Sequence, residues 1–185
     1  MYKRQGTGVL DEYSYLVKKV VFQIDALPVV KLISALFTHA FFVVFMLVVF
    51  AVMGFYPDLY VLQIVYYSFC MVILTAGLIY ATSAVTVFFR DMKEVVSILL
   101  QIGMWVTPIM WNFESMQGIP KWAVLLLKLN PMYYIVSGYR DALINKTAFW
   151  EHPGLTLWFW GITLFTLWAG TTVFKRLRVH FADVL

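Results

Sequence analysis

Val87-Phe88-Phe89-Arg90-Asp91-Met92-Lys93-Glu94-Val95-Val96 sets four charged residues between two long apolar runs. Such runs cannot reverse inside lipid, because bare backbone N–H and C=O groups there are too costly to leave unpaired. The charged cluster is therefore a water-side turn, and it sets the direction of the helices on either side.

The rest of the chain fits that reading. Of its 185 residues 62% are apolar and 13% charged, with a mean hydropathy of +0.81. A soluble domain carries about 25% charge, so the composition is that of an integral membrane protein. The one cysteine, Cys70, lies within an apolar run. It excludes a disulfide framework and reads as a small buried packing residue. A net charge of +4, with the basic residues at the ends of apolar runs, does not build a nucleic-acid face. Met1-Tyr2-Lys3-Arg4 is followed by Gln5-Gly6-Thr7-Gly8 and Asp11-Glu12 where a signal peptide needs an apolar stretch.

Taken in order, residues 1–31 are a mixed, water-side segment. From Asp11 to Ile24 the apolar Tyr15, Leu16, Val20 and Ile24 recur at roughly helical spacing, with Lys18 and Lys19 between them. That pattern predicts a short amphipathic helix for a membrane surface or a partner's groove, or else a solvated surface helix. Pro28 is expected to end or kink it. Residues 32–185 form the membrane domain. The first span is expected at about 32–55, the second at 59–89 and the third at 95–111, since about 20 apolar residues cross a bilayer. The second run is longer than one crossing needs, and Thr82, Ser83 and Thr86 mark its polar end. Gly77 and Ala81 make a small-xxx-small pair, a candidate face for close helix approach. Thr107-Pro108 bends the far end of the third run.

Residues 112–153 break the rhythm. Trp122–Leu129 and Met132–Tyr139 are apolar but too short to span, and Asn130-Pro131 separates them. A re-entrant hairpin of two short helices is expected, with protein or water covering its backbone. A fourth span follows at 155–174, and Lys175-Arg176-Leu177-Arg178 closes it. Lys3, Arg4, Lys18, Lys19, Lys31, Arg90, Lys93, Lys175, Arg176 and Arg178 fall on one side of this topology. Lys121, Lys128, Arg140 and Lys146 fall on the other. The positive-inside rule then puts both termini and the Arg90–Glu94 turn in the cytoplasm. Trp105, Trp111, Trp122, Tyr133, Tyr134 and Trp150 crowd the outer interface as an aromatic belt.

The four expected spans hold no Asp, Glu, Lys or Arg, which proton-coupled carriers and intramembrane hydrolases ordinarily need at membrane depth. His39 reads as a packing residue near a helix end. No Ser/His/Asp set, metal-spaced cluster or phosphate-cradling glycine loop occurs in the sequence. The three-residue glycosylation match Asn145-Lys146-Thr147 carries no weight. Energy for any transport has to come from another subunit.

Several stretches together resemble a family. They are Asp11 to Pro28, Phe88-Phe89-Arg90-Asp91, Thr107-Pro108-Ile109, Leu129-Asn130-Pro131-Met132, Tyr139-Arg140-Asp141-Ala142-Leu143 and Phe181-Ala182-Asp183. Their order and spacing are similar to those of the permease subunit of bacterial ABC exporters for lipid-linked polysaccharides (O-antigen, capsule or teichoic-acid precursors). The resemblance implies six spans, of which this chain holds the last four, as an N-terminally truncated piece; residues 1–8 resemble nothing in the family. It implies a coupling helix at Asp11–Ile24 seated on an ATP-hydrolysing partner. Tyr15, Leu16, Lys18 and Lys19 would make that contact, with Arg90 and Asp91 as a second one. It implies an outer gate using Trp122, Asn130, Pro131, Tyr134, Arg140 and Asp141. It also implies a homodimer in the cytoplasmic membrane, no cofactor in this chain, and ATP with magnesium on the partner.

A glycan conduit needs hydroxyls and aromatic faces, since sugars present both OH groups and apolar C–H faces. Tyr66, Tyr67, Trp105, Trp111 and Tyr134 are candidate lining residues, or alternatively interface and packing aromatics. A permease for drugs or other small amphiphiles, a membrane-bound transferase of envelope synthesis, and a structural subunit are the competing readings. A transferase would need clustered carboxylates or histidines at one leaflet, which the sequence lacks.

Overall fold

The computed structural model describes residues 26–89, 91–109 and 120–181, and these are helical with no strand among them. Helix α1 runs over Ala26–Val52, a 3-10 turn over Leu59–Leu62 and α2 over Gln63–Phe88. Helix α3 covers Met92–Val106, α4 Lys121–Leu129 and α5 Pro131–Arg140, and α5 passes into a π-helical turn at Asp141–Asn145. Another 3-10 turn at Phe149–Glu151 leads into α6, Pro153–Leu177, which ends in a 3-10 turn at Arg178–His180. The expected coupling helix, Arg90 and Trp111 lie outside the described residues.

Among the described residues, three stretches are long and apolar enough to cross a membrane: Ala26–Val52, Leu59–Phe88 and Pro153–His180. Helix α1 is described from Ala26, ahead of the expected boundary, and Pro28 lies within it. It ends where Gly54 takes φ 88, a conformation that stops a helix cheaply only at glycine. The third run differs from expectation. Helix α3 has 15 residues, about 22 Å at 1.5 Å per residue against a hydrocarbon core of about 30 Å. Thr107-Pro108 ends this helix instead of bending it, as the restriction on residues before proline favours.

The chain divides into two compact units. The first draws on the described parts of Met1–Val43, Val72–Leu100 and Leu164–Leu185. Its core is Leu27, Ala84, Val87, Phe174 and Phe181, with Tyr80, Phe88, Val173 and Leu177 packed against it. The rings meet edge to face: Tyr80 and Phe174 at 5.2 Å, Phe174 and Phe181 at 5.7 Å. Where α2 crosses α6 in this unit, small residues bring backbone onto backbone. A Cβ on Gly77 would lie 2.7 Å from the Leu167 amide nitrogen, and one on Gly170 would collide with the Gly77 carbonyl oxygen and press on the Ala81 nitrogen. The pair Gly77 and Ala81 is thus a packing face, and α6 is what it meets.

Hydroxyls in this unit cost little in an apolar setting because they bond back to their own helix. Thr82 Oγ1 donates to the Leu78 carbonyl at 2.8 Å, Thr86 Oγ1 to Thr82 at 2.7 Å and Thr171 Oγ1 to Leu167 at 2.8 Å. The second unit comprises Val44–Met71 and Gln101–Thr163 and carries the candidate site.

Candidate functional site

The second unit is organised by the junction between α4 and α5. Asn130 is too extended to continue α4 (φ −69, ψ 119), and its Oδ1 accepts from the Met132 N–H at 3.0 Å, capping α5 with Pro131 at the first helical position. Its Nδ2 donates to Thr107 Oγ1 at 2.9 Å. One amide therefore starts a helix and tethers it to the turn after α3. At the other end of α5, Arg140 Nη2 donates to the Ile109 carbonyl at 2.9 Å and also to the Pro108 carbonyl. The turn at Thr107–Ile109 is thus held from both ends of α5, and a guanidinium is suited to such paired acceptors.

Behind α5 lies a hydroxyl and indole network. Tyr134 OH bonds Tyr66 OH at 3.2 Å and Thr156 Oγ1 at 3.0 Å, and Trp160 Nε1 donates to Tyr66 OH at 3.0 Å. Ser68 Oγ and Tyr139 OH meet at 2.7 Å. Tyr134 stacks on Phe159 at 4.8 Å and Tyr66 on Phe149 at 4.7 Å. Tyr67 is 2% exposed, and its ring occupies the space a side chain on Gly138 would take. Trp158 Nε1 donates to the Leu129 carbonyl at 3.1 Å, supplying a partner at the end of α4.

The connector after α5 is pinned in the same way. Asp141 is buried and accepts from Asn145 Nδ2 at 2.8 Å. Gln63 grips the following strand-like segment from both sides: its Nε2 donates to the Thr147 carbonyl at 3.0 Å and its Oε1 accepts from the Phe149 N–H at 2.7 Å. Glu151 takes the Ala148 N–H at 2.9 Å. Lys146, at φ 55, pairs with Asp58 at 2.8 Å. That ammonium holds the Asp58 carboxyl below the usual carboxylate range. Next to this pair, residues including Leu47, Phe50, Phe55, Val61 and Leu143 line a cleft of about 300 Å³.

Of the residues singled out from sequence, Asn130, Pro131, Tyr134, Arg140, Asp141, Tyr66 and Tyr67 all fall in this unit and share the contacts just given. Trp122 and Trp105 are 67% and 68% exposed, on α4 and α3. Asp91 lies before α3, where its carbonyl accepts from the Glu94 and Val95 amides at 3.0 and 3.2 Å. Tyr15, Leu16, Lys18, Lys19, Arg90 and Trp111 lie outside the described residues. Gln63, Ser68, Thr156, Trp160 and the Asp58–Lys146 pair were not anticipated. Gln63 carried the one usable signal, an isolated amide at the head of an apolar run.

Tyr134→Phe is expected to lower stability by about 1 kcal/mol, the net value of an ordinary hydrogen bond. The loss stays small because Tyr66 retains Trp160, and Thr156 retains the His152 carbonyl at 3.1 Å. The midpoint of thermal unfolding in detergent measures it.

Among the described residues, three helices long and apolar enough to cross a membrane define a multi-pass helical membrane protein. The chain belongs to the ABC-2 type transporter family, whose membrane-domain model matches residues 9–144. It is similar to curated proteins named O-antigen export system permease protein RfbA. The one from Myxococcus xanthus is 26% identical over 178 residues, which is 96% of this chain and 67% of that protein. One from Klebsiella pneumoniae is 29% identical over 175 residues, 92% of this chain and 64% of that protein. The chain therefore spans about two thirds of the length of these relatives.

Proposed function

We propose that this chain is the membrane-spanning permease of an ATP-driven exporter that moves a lipid-linked polysaccharide across the bacterial cytoplasmic membrane. The observation that carries the reading is the family match over residues 9–144 together with relatives named for O-antigen export along 96% and 92% of the chain. In this reading α3 and the residues after it form a fourth crossing, and α4 and α5 are a re-entrant outer gate. At nine and ten residues each is about half the length a crossing helix needs. Asn130 and Arg140 hold that gate to the end of α3, and Trp105 and Trp111 supply aromatic faces along the conduit. Both termini are cytoplasmic, two copies enclose the path, and the Asp11–Ile24 helix docks on an ATPase subunit that binds ATP and magnesium.

Proteoliposomes holding this chain with its ATPase decide the cargo. ATP-dependent movement of a lipid-linked glycan to the far leaflet is expected. Movement of small amphiphilic drugs with no glycan transport would overturn the proposal. Coupling is tested separately by Lys18→Glu with Lys19→Glu, which reverses two charges on the docking helix. The ATPase is expected to co-purify at least tenfold less, the equivalent of about 1.4 kcal/mol. Unchanged association and export would reject the assignment of that helix.

A further inference from the structure

The cleft beside the Asp58–Lys146 pair is not used by anything described above. Its walls come from the end of α1 (Leu47, Phe50), the Gly54–Asp58 loop, Val61, and the connector after α5 (Ala142, Leu143, Lys146). At about 300 Å³ it falls at the small end of ligand-site sizes. Its lining is more apolar than polar, and it includes one positive and one negative group, Lys146 and Asp58, with side chains 60% and 35% exposed. Helix α1 is long and apolar enough to cross a bilayer, so the cleft opens at the end of such a helix, where lipid headgroups lie.

We infer that this cleft binds a zwitterionic phospholipid with a primary ammonium, of the phosphatidylethanolamine class. Its phosphate sits on Lys146, its ammonium on Asp58, and part of an acyl chain runs along Leu47, Phe50 and Phe55. The charges select this class. An anionic lipid meets the Asp58 carboxylate, and a cationic amphiphile meets the Lys146 ammonium. A zwitterion satisfies both groups. A quaternary choline lacks the N–H that would donate to Asp58.

Exchange is easy, because an exposed ion pair contributes little by itself. The Lys146 ammonium has three donors and spends one on Asp58 Oδ2, while Asp58 Oδ1 accepts from the Tyr60 N–H at 3.1 Å. Lys146 is held at φ 55 as the left-handed cap of the Asp141–Asn145 turn, its N–H on the Asp141 carbonyl, which fixes the backbone that carries the ammonium. The inference rests on the chain being membrane-embedded and does not depend on the cargo.

The test uses the full chain, purified in detergent and stripped of lipid. It is then offered equal amounts of dioleoyl phosphatidylethanolamine, phosphatidylcholine and phosphatidylglycerol, with retained lipid counted by native mass spectrometry. The wild type is expected to retain phosphatidylethanolamine about tenfold over either competitor, the effect of one charge-assisted hydrogen bond. Two variants spare the fold. Lys146→Gly removes the ammonium where glycine prefers the backbone conformation, and Asp58→Asn keeps the acceptor for Tyr60. Lys146→Gly is expected to abolish the preference, and Asp58→Asn to move it to phosphatidylglycerol. Equal retention of the three lipids by the wild type overturns the inference whether or not the variants fold. So does a wild-type preference for phosphatidylglycerol, or a ranking that neither substitution alters. A glycan exporter that fails this test remains a glycan exporter.

Discussion

Gly170→Leu is expected to leave little folded protein in detergent, a loss of at least about 3 kcal/mol and beyond the usual range for overpacking. The reason is what a side chain would strike. At Gly170 the obstacle is the Gly77 carbonyl oxygen, and at Gly77 it is the Leu167 amide nitrogen 2.7 Å away. Neither can rotate aside as a side chain does, so α2 and α6 would have to part. That would open the layer of Tyr80, Phe174 and Phe181 in the same unit. Gly161→Ala on the same α6 is the matched control, because no atom lies within 4 Å of the added carbon. It is expected to be neutral or to stabilise by up to about 1 kcal/mol, the helix-propensity difference. Monodispersity after heating separates the two: Gly170→Leu aggregates at temperatures Gly161→Ala withstands.

Arg140→Ala carries the second large effect, and it falls on function. The guanidinium holds the Pro108 and Ile109 carbonyls at the end of α3, and each bond from a charged donor contributes about 1.5–3 kcal/mol. Without it the turn at Thr107–Ile109 loses its tether to the end of α5 and keeps the Asn130 amide on Thr107 and its own backbone bonds. Glycan export in proteoliposomes is expected to fall more than tenfold, while the ATPase subunit still co-purifies. Arg140→Lys is expected to fall between the two, since an ammonium is a point charge without the planar fork. A cysteine placed at Ile109 reports the local change, with faster labelling in Arg140→Ala than in wild type. Export at the wild-type rate with unchanged labelling would remove the clamp from the mechanism.

Much of this architecture could be read from residue order, because its signals are local. Asn130-Pro131 announces a helix stop and restart, and the cap hydrogen bond spans two residues. Gly77 and Ala81 lie four apart on one face, so their packing role shows in a short window. The site is harder to read because its bonds join distant segments. Gln63 reaches Phe149 across 86 positions and Trp160 reaches Tyr66 across 94. Nothing near either residue says which partner it will find. The end of α3 is hard to read for a different reason. Apolar content continues through Trp111, but Pro108 limits the backbone that carries it, and hydropathy alone does not register that.

The amide of Asn130 has a mechanical consequence. One short side chain has its oxygen committed to the first turn of α5 and its nitrogen to Thr107. A rotation that releases one grip misaims the other, so the joint cannot slide by degrees. Losing either bond leaves a helix uncapped or a hydroxyl without its donor.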